Sequence, residues 1–141
     1  MNPRVIEYVQ QINSTILPEG HTIYTEGELP DNTMYFVFKG EIGIYKNRSG
    51  GEREINRLGP GTFFGEMALI HERPRLATAR VVSPEVRVAV MNREVLLKLA
   101  GSSPEFLFYL LRHAVGRLIS AEDKLHRARE ELQEEKTSRG L

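Results

Sequence analysis

Apolar residues along this chain follow three periods in turn. Val5, Tyr8, Val9 and Ile12 recur at helical spacing and predict one short amphipathic helix at the start. Asn13 to Gly20, with Pro18 and Gly20, reads as a turn-bearing connection. From His21 to about Met91 the texture changes to short strand-like pieces: His21–Thr25, Met34–Lys39, Glu41–Tyr45, Glu52–Leu58, Leu76–Val82 and Val86–Met91. Gly27, Gly40, Gly50-Gly51 and Gly59-Pro60-Gly61 punctuate them. In the last piece Val86, Val88 and Val90 alternate with Arg87 and Ala89, the period-two signature of a half-buried strand. Many short strands separated by turn signals imply a sandwich or closed roll, not a parallel sheet with crossover helices.

From Asn92 onward the pattern is helical. Ser102-Ser103-Pro104-Glu105 has the features of a helix start: a serine cap, proline in the first turn and an acid suited to the helix dipole. This helix is expected to reach Glu135, with an apolar first half and a highly charged stretch from Glu122 to Lys136, and Thr137–Leu141 are expected to fray. No internal repeat at a solenoid period is present.

Composition narrows the function classes. The 141 residues are expected to form one domain, 1–141, with a β-roll over about 20–91 and C-terminal helices over about 92–135. Nineteen basic and 19 acidic residues cancel, with no basic stripe, so no nucleic-acid partner is expected. The absence of cysteine removes disulfides, thiolate metal sites and cysteine nucleophiles. Met1–Gln11 mixes acidic, polar and apolar residues unlike a signal peptide. No run approaches the roughly 18 apolar residues of a membrane span, which makes the cytoplasm the expected compartment.

Catalytic constellations are equally scarce. His21, His71, His113 and His126 are scattered, without metal-ligand spacing on one element, so no metal or other cofactor is expected. Glu26, Glu28 and Asp31 share one turn beside Gly27 and Pro30, and read as a solvated loop in preference to paired catalytic carboxylates. The serines and threonines lack a nucleophile elbow. The chain is not expected to be an enzyme.

One segment carries chemistry, Phe64 to Thr78. Gly65 ends a strand and permits close backbone approach to a ligand. Met67–Ile70 suits a single helical turn whose free N–H groups point at an anion. Arg75 supplies a planar, permanently charged fork for phosphate oxygens, and Glu66 an acceptor for a hydroxyl. Together they suit a ligand with one phosphate beside a sugar hydroxyl, such as a cyclic mononucleotide. Taken singly, Gly-Glu is also an ordinary turn, Arg75 could pair with Glu72 or Glu66 at the surface, and spacing alone would equally allow Arg73 as the phosphate ligand.

In order, Phe64, Gly65, Glu66, Ala68, Leu69, Arg75, Ala77 and Thr78 resemble the phosphate-binding cassette of the cyclic nucleotide-binding domain family. Upstream pieces from Gly20, Glu26, Tyr35 and Gly40 also resemble that family, over about Ile12–Leu125. The resemblance implies an α+β fold: an eight-stranded antiparallel, jelly-roll-like β-roll with a short N-terminal helix, a one-turn phosphate-binding helix and long C-terminal helices. It also implies that Glu66 binds the ribose 2′-hydroxyl and Arg75 the exocyclic phosphate oxygens. Backbone N–H groups near Met67, Ala68 and Ala77 would complete the cradle with Gly65 against the sugar, and Leu76 and Thr78 belong to the same stretch. Ile44, Ile55 and Leu58 fall where the family has apolar base contacts, with ordinary core as the alternative for each. The nearest match on the final helix puts Arg117, Ala121 and Glu122 toward the base, although Glu122 also reads as solvated helix surface.

Leu76 follows the phosphate arginine, where relatives that prefer cyclic GMP often carry threonine. Leucine cannot hydrogen-bond the guanine amine, and leaving that amine buried and unpaired costs about 1–3 kcal/mol, so cyclic AMP is the expected ligand. Leu111, Ala114, Leu118, Ala121, Leu125, Ala128 and Leu132 alternate by three and four, a heptad seam that predicts a weak homodimer. In a parallel pair Arg117 would face Glu122 favourably and Lys124 would face Arg129 unfavourably. Only Thr137–Leu141 follow the helix, so the output is expected to lie in another protein, an effector the sequence does not identify. The rival readings are a cyclic GMP-preferring sensor, or a degenerate roll kept as a protein-interaction module.

Overall fold

The structure, a computed structural model, describes residues 12–140. The expected N-terminal helix lies outside these residues except for Ile12. The chain divides into two compact units, the first ending at Phe106 and the second starting at Leu107.

Among the described residues the first unit contains eight antiparallel strands: β1 (Ser14–Pro18), β2 (Thr22–Tyr24), β3 (Thr33–Lys39), β4 (Ile42–Arg48), β5 (Gly51–Leu58), β6 (Phe63–Phe64), β7 (Thr78–Val81) and β8 (Glu85–Asn92). They form two four-stranded sheets, ordered β1-β8-β3-β6 and β2-β7-β4-β5. One short helix, α1 (Glu66–Ile70), lies between β6 and β7, and α2 (Arg93–Ser102) follows β8. This is the β-roll that the strand pattern and the cassette implied.

Four successive residues of β3, Met34 to Val37, are buried, so both faces of the first sheet are covered. Tyr35 and Val37 belong to the cluster inside the roll with Phe64, Val81, Val86 and Val88. On the alternate positions Phe36 packs on Phe63, with centroids 4.7 Å apart, and Phe63 meets Phe106 edge-on at 5.8 Å. The adjacent pair Phe63-Phe64 thus serves two cores, because neighbouring side chains of a strand point to opposite faces. β8 differs from the simple alternation expected of it. Val86 and Val88 are buried inside, yet Ala89 and Met91 are fully buried as well.

Ser14–Pro18, read from sequence as a connection, is a strand, in register from Ser14↔Ala89 to Pro18↔Glu85. Pro18 sits at its last position, on a sheet edge where a missing N–H is tolerated. Phe63–Phe64 pairs with Tyr35 and Phe36, a strand too short to leave a periodic signal.

The helical region is broken at Ser103, whose backbone is extended. Asn92 caps α2, its Oδ1 accepting from the Val95 N–H at 2.9 Å. Ser103 caps α3 (Pro104–Ser138), its Oγ accepting from the Phe106 N–H at 3.3 Å. This is the start signal read from the sequence. The helix runs past Glu135, and Thr137 Oγ1 donates to the Gln133 carbonyl at 2.9 Å, so Thr137 and Ser138 are helical where fraying was expected. From Leu107 the second unit is this helix, with the ion pair Glu135–Arg139 and a 3.0 Å contact between His126 Nε2 and Glu130 Oε1 along it.

Gly40 joins β3 to β4 with φ 88°, and a Cβ there would collide with the Glu85 carbonyl and lie 2.9 Å from Val86 Cα. Gly50 has φ 92° and open space around it. Gly50→Ala should therefore cost about 1–2 kcal/mol, the left-handed penalty alone, and Gly40→Ala at least about 3 kcal/mol. Urea denaturation of the two variants checks this, and equal losses would contradict the packing described.

Candidate functional site

Arg75 is fixed by its backbone before its side chain is aimed. Its N–H donates to the Glu28 carbonyl at 2.9 Å, and its own carbonyl accepts from the Gly27 N–H at 2.8 Å. Two residues beyond Leu76, Thr78 Oγ1 accepts from the Glu26 N–H at 2.9 Å. The β2–β3 turn is thereby laced along the segment that enters β7.

The side chain of Arg75 is only 2% exposed. Nη1 donates to the Gly65 carbonyl at 3.0 Å. Nη2 donates to Asp31 Oδ1 at 2.5 Å, to the Thr33 carbonyl at 3.0 Å and to Thr33 Oγ1 at 3.1 Å. The guanidinium carbon lies 4.2 Å above the Tyr24 ring centroid, and Tyr35 stacks on Phe64 behind it at 5.0 Å. Such contacts replace the water that a buried cation would otherwise lose. Nε is buried and has no hydrogen-bond partner among the described residues. A buried N–H left unpaired is costly, so Nε is a donor suited to an acceptor from outside the protein.

Gly65 supplies the adjoining wall. It is the N-cap of α1 with φ 77°, and no side chain caps that helix. A Cβ on Gly65 would lie 2.8 Å from Arg75 Nη1 and 3.3 Å from Tyr35, so glycine is required both for conformation and for room. Ala68 and Leu69 are buried and anchor α1, while Met67 is half exposed. Glu66 opens the helix with its Oε2 buried.

The other expected site residues separate into groups. Ala77 is half-buried, Thr78 is buried in β7, and Leu76 is 48% exposed next to Arg75. Arg73 is exposed. Leu58 is buried in the roll's core, and Ile44 packs against the same cluster opposite Ala79. Ile55 is not core. The β4–β5 register passes from Ile44↔Asn56 to Tyr45↔Glu54, which leaves Ile55 as an unpaired bulge residue, 47% exposed. Bulges of this kind re-aim side chains beside functional sites. Arg117, Ala121 and Glu122 lie on α3 in the second unit, with Ala121 and Glu122 exposed.

The solvated-loop reading of Glu26, Glu28 and Asp31 holds for Glu28, which is exposed, but Asp31 and Glu26 also make specific contacts. Asp31 is the carboxylate partner of the buried arginine, and Glu26 accepts from Asn47 Nδ2 at 3.1 Å. Asp31, Thr33, Tyr24 and Tyr35 were not legible as site residues, because their link to Arg75 spans 40 positions or more and no local spacing reports it. Partial burial acts to raise the Asp31 carboxyl. The Thr33 hydroxyl and the Arg75 charge outweigh it and hold the group below its ordinary value of 3.8.

Among the described residues no group of three or more His, Cys, Asp or Glu is arranged to hold a metal ion, and no helix is long and apolar enough to cross a membrane. The arrangement is suited to holding an anion, with a fork, a helix start and a nearby carboxylate for a hydroxyl.

Comparison with known proteins agrees with this chemistry. The family description that matches the chain, cyclic nucleotide-binding domain, covers residues 15–103. A CRP-like cAMP-activated global transcriptional regulator of Mycobacterium tuberculosis is 32% identical over 110 residues, 77% of this chain and 48% of the regulator. A cGMP-dependent protein kinase of Eimeria tenella is 38% identical over 82 residues, 57% of this chain and 8% of the kinase. The crystal structure of Thermus thermophilus catabolite activator protein superposes with a TM-score of 0.76 at 29% identity, covering 89% of this chain and 59% of the activator. The chain thus spans about half the length, or less, of these curated relatives.

Because the Asp31 carboxyl is depressed in the folded chain, its contribution to stability is full above the unfolded value and lost as pH falls through the folded one. At neutral pH Asp31→Asn should cost about 1–2 kcal/mol, less than for a fully buried pair because the Asp31 side chain is half exposed. Thermal unfolding of both proteins should give a gap that closes below about pH 4. A gap that stays constant into acid would mean that the charge of Asp31 does not hold Arg75.

Proposed function

The chain belongs to the cyclic nucleotide-binding domain family, and from that premise we propose that it is a non-catalytic sensor that prefers cyclic AMP and signals to a separate effector protein. The observation that carries this reading is the buried Nε of Arg75, a nitrogen without a protein acceptor among the described residues, on a guanidinium whose other two nitrogens both have one. A phosphate oxygen of the nucleotide completes it. The uncapped start of α1, next to Gly65, donates backbone N–H groups to the same phosphate. Glu66, Met67, Ala68, Ala77 and Thr78 line the remainder, with Glu66 accepting from the ribose hydroxyl.

Leu76 favours adenine. It is apolar and half exposed next to the phosphate arginine, and it offers no hydroxyl to a guanine amine. The relatives do not decide the base, since one is named for cAMP and another for cGMP. Ile44 and the bulged Ile55 supply apolar surface to the base, and Arg117, Ala121 and Glu122 are the candidates on the final helix. That helix is the moving part. Leu111, Leu118, Leu125 and Leu132 are each more than half exposed along its seam, which pairs two chains weakly while nucleotide shifts the helix between packings.

Calorimetric titration with cyclic AMP and cyclic GMP tests the binding. Arg75→Lys keeps the charge but loses the fork, and should lose about 2 kcal/mol or more of cyclic AMP affinity, whereas Arg73→Ala should bind as the unmodified chain does. Equal binding by Arg75→Lys and the unmodified chain would remove the phosphate assignment. Tighter binding of cyclic GMP would overturn the preference.

The seam is tested by sedimentation of the intact chain against one ending at Ser120. Only the intact chain should show reversible, concentration-dependent dimers. A monomer at every concentration removes the pairing.

A further inference from the structure

We propose that Thr33 is the positioning residue of the phosphate arginine, and that it passes the occupancy of that site to the first turn of α2. This rests on the reading of Arg75 given above. Thr33 Oγ1 lies 2.7 Å from Asp31 Oδ1, 3.1 Å from Arg75 Nη2 and 3.2 Å from the Tyr35 hydroxyl. A hydroxyl has one proton and two acceptor positions. The Asp31 carboxylate can only accept, so the Thr33 proton goes there. Arg75 and Tyr35 then donate to Thr33, and the hydroxyl is saturated in all three directions. Its carbonyl also lies 3.0 Å from Nη2, whose two N–H groups are shared among this carbonyl, Thr33 Oγ1 and Asp31 Oδ1. Thr33 therefore orients the guanidinium twice directly and a third time through Asp31. Its hydrogen bond is the largest influence holding the Asp31 carboxyl below its ordinary range.

Thr33 is also the first residue of β3, and its partner across the sheet is Asn92, the last residue of β8. Asn92 is the cap of α2 through the Val95 N–H. One cross-strand pair thus separates the phosphate arginine from the start of a helix. On this side Thr33, Asn92, Val95, Leu99 and Ser102 border a cavity of about 440 Å³. Close-packed cores resist small displacements, whereas a cavity leaves the first turn of α2 room to follow Asn92. When a nucleotide phosphate draws the guanidinium toward itself through Nε, the pull on the Thr33 carbonyl reaches Asn92 and changes the cap.

Thr33→Val is nearly isosteric and removes all three hydroxyl bonds, while Thr33→Ser retains them. In carbon-13 titrations without nucleotide, the Asp31 carboxyl should move up in the valine variant and stay in place in the serine variant. Cyclic AMP affinity should fall about tenfold or more for valine and stay within about twofold for serine, the loss expected for one hydrogen bond to a charged group. Cyclic AMP should alter hydrogen exchange at the Val95 amide in the unmodified chain and in Thr33→Ser, but not in Thr33→Val. An unmoved Asp31 titration with unchanged affinity in Thr33→Val overturns the positioning role. Weakened binding with the Val95 response intact overturns the transmission to α2. If the unmodified chain binds no cyclic nucleotide, the sensor reading fails, and the titration still decides whether Thr33 holds Asp31.

Discussion

Burial of one guanidinium is the constraint on which the rest of this site depends. Arginine cannot shed its charge, so a side chain that is 2% exposed must have its donors met by protein or ligand. The surroundings of Arg75 follow from that demand: a carboxylate at Asp31, carbonyls at Thr33 and Gly65, and an aromatic face at Tyr24. Asp31 and Thr33 lie together at the entry to β3, Tyr24 lies in β2, and Gly65 stands between β6 and α1. The backbone of Arg75 is clamped to the β2–β3 turn, Thr33 opens a central strand, and Gly65 follows β6 as the cap of α1. The fork is therefore preorganised, and what the ligand supplies is the acceptor for Nε.

The second consequence lies in the sheet that holds the fork. Because β3 is buried on both faces, the residues behind the arginine and those beneath the helices are neighbours in sequence. Phe64 stacks on Tyr35 within the roll, and Phe63 meets Phe106 on the opposite face, one peptide apart. A small change at the site cannot be absorbed by a fluid interior, since such cores are packed like crystals. The same argument applies to Thr33 and Asn92, where a cavity provides the room that the aromatic contacts lack.

Much of this architecture was legible in the sequence wherever the signal is local. The valines of β8, the glycines at turns and the serine-proline helix start have short-range causes, and the ordered run from Phe64 to Thr78 marks the cassette. What escaped was long-range or too brief to repeat. Asp31 looks like a turn acid because nothing nearby reports a guanidinium 44 positions away. β1 was hidden by Pro18, whose position at an edge-strand end makes it harmless there. Ile55 reads as an ordinary alternating strand residue, and only the register shift opposite Ile44 and Tyr45 reveals a bulge. The break between α2 and α3 shows in sequence as a start signal, but the extended backbone at Ser103 that ends one helix before the next does not.

The claim beneath this account is that Arg75 Nε awaits a phosphate oxygen. Arginine Nε–H groups are resolved in nitrogen-15 NMR spectra, so one titration with cyclic AMP addresses it directly. The Arg75 Nε–H resonance should move downfield, exchange more slowly with water and gain a scalar coupling to the phosphorus of the nucleotide. Bound cyclic AMP with an unshifted, uncoupled Arg75 Nε–H would contradict the account.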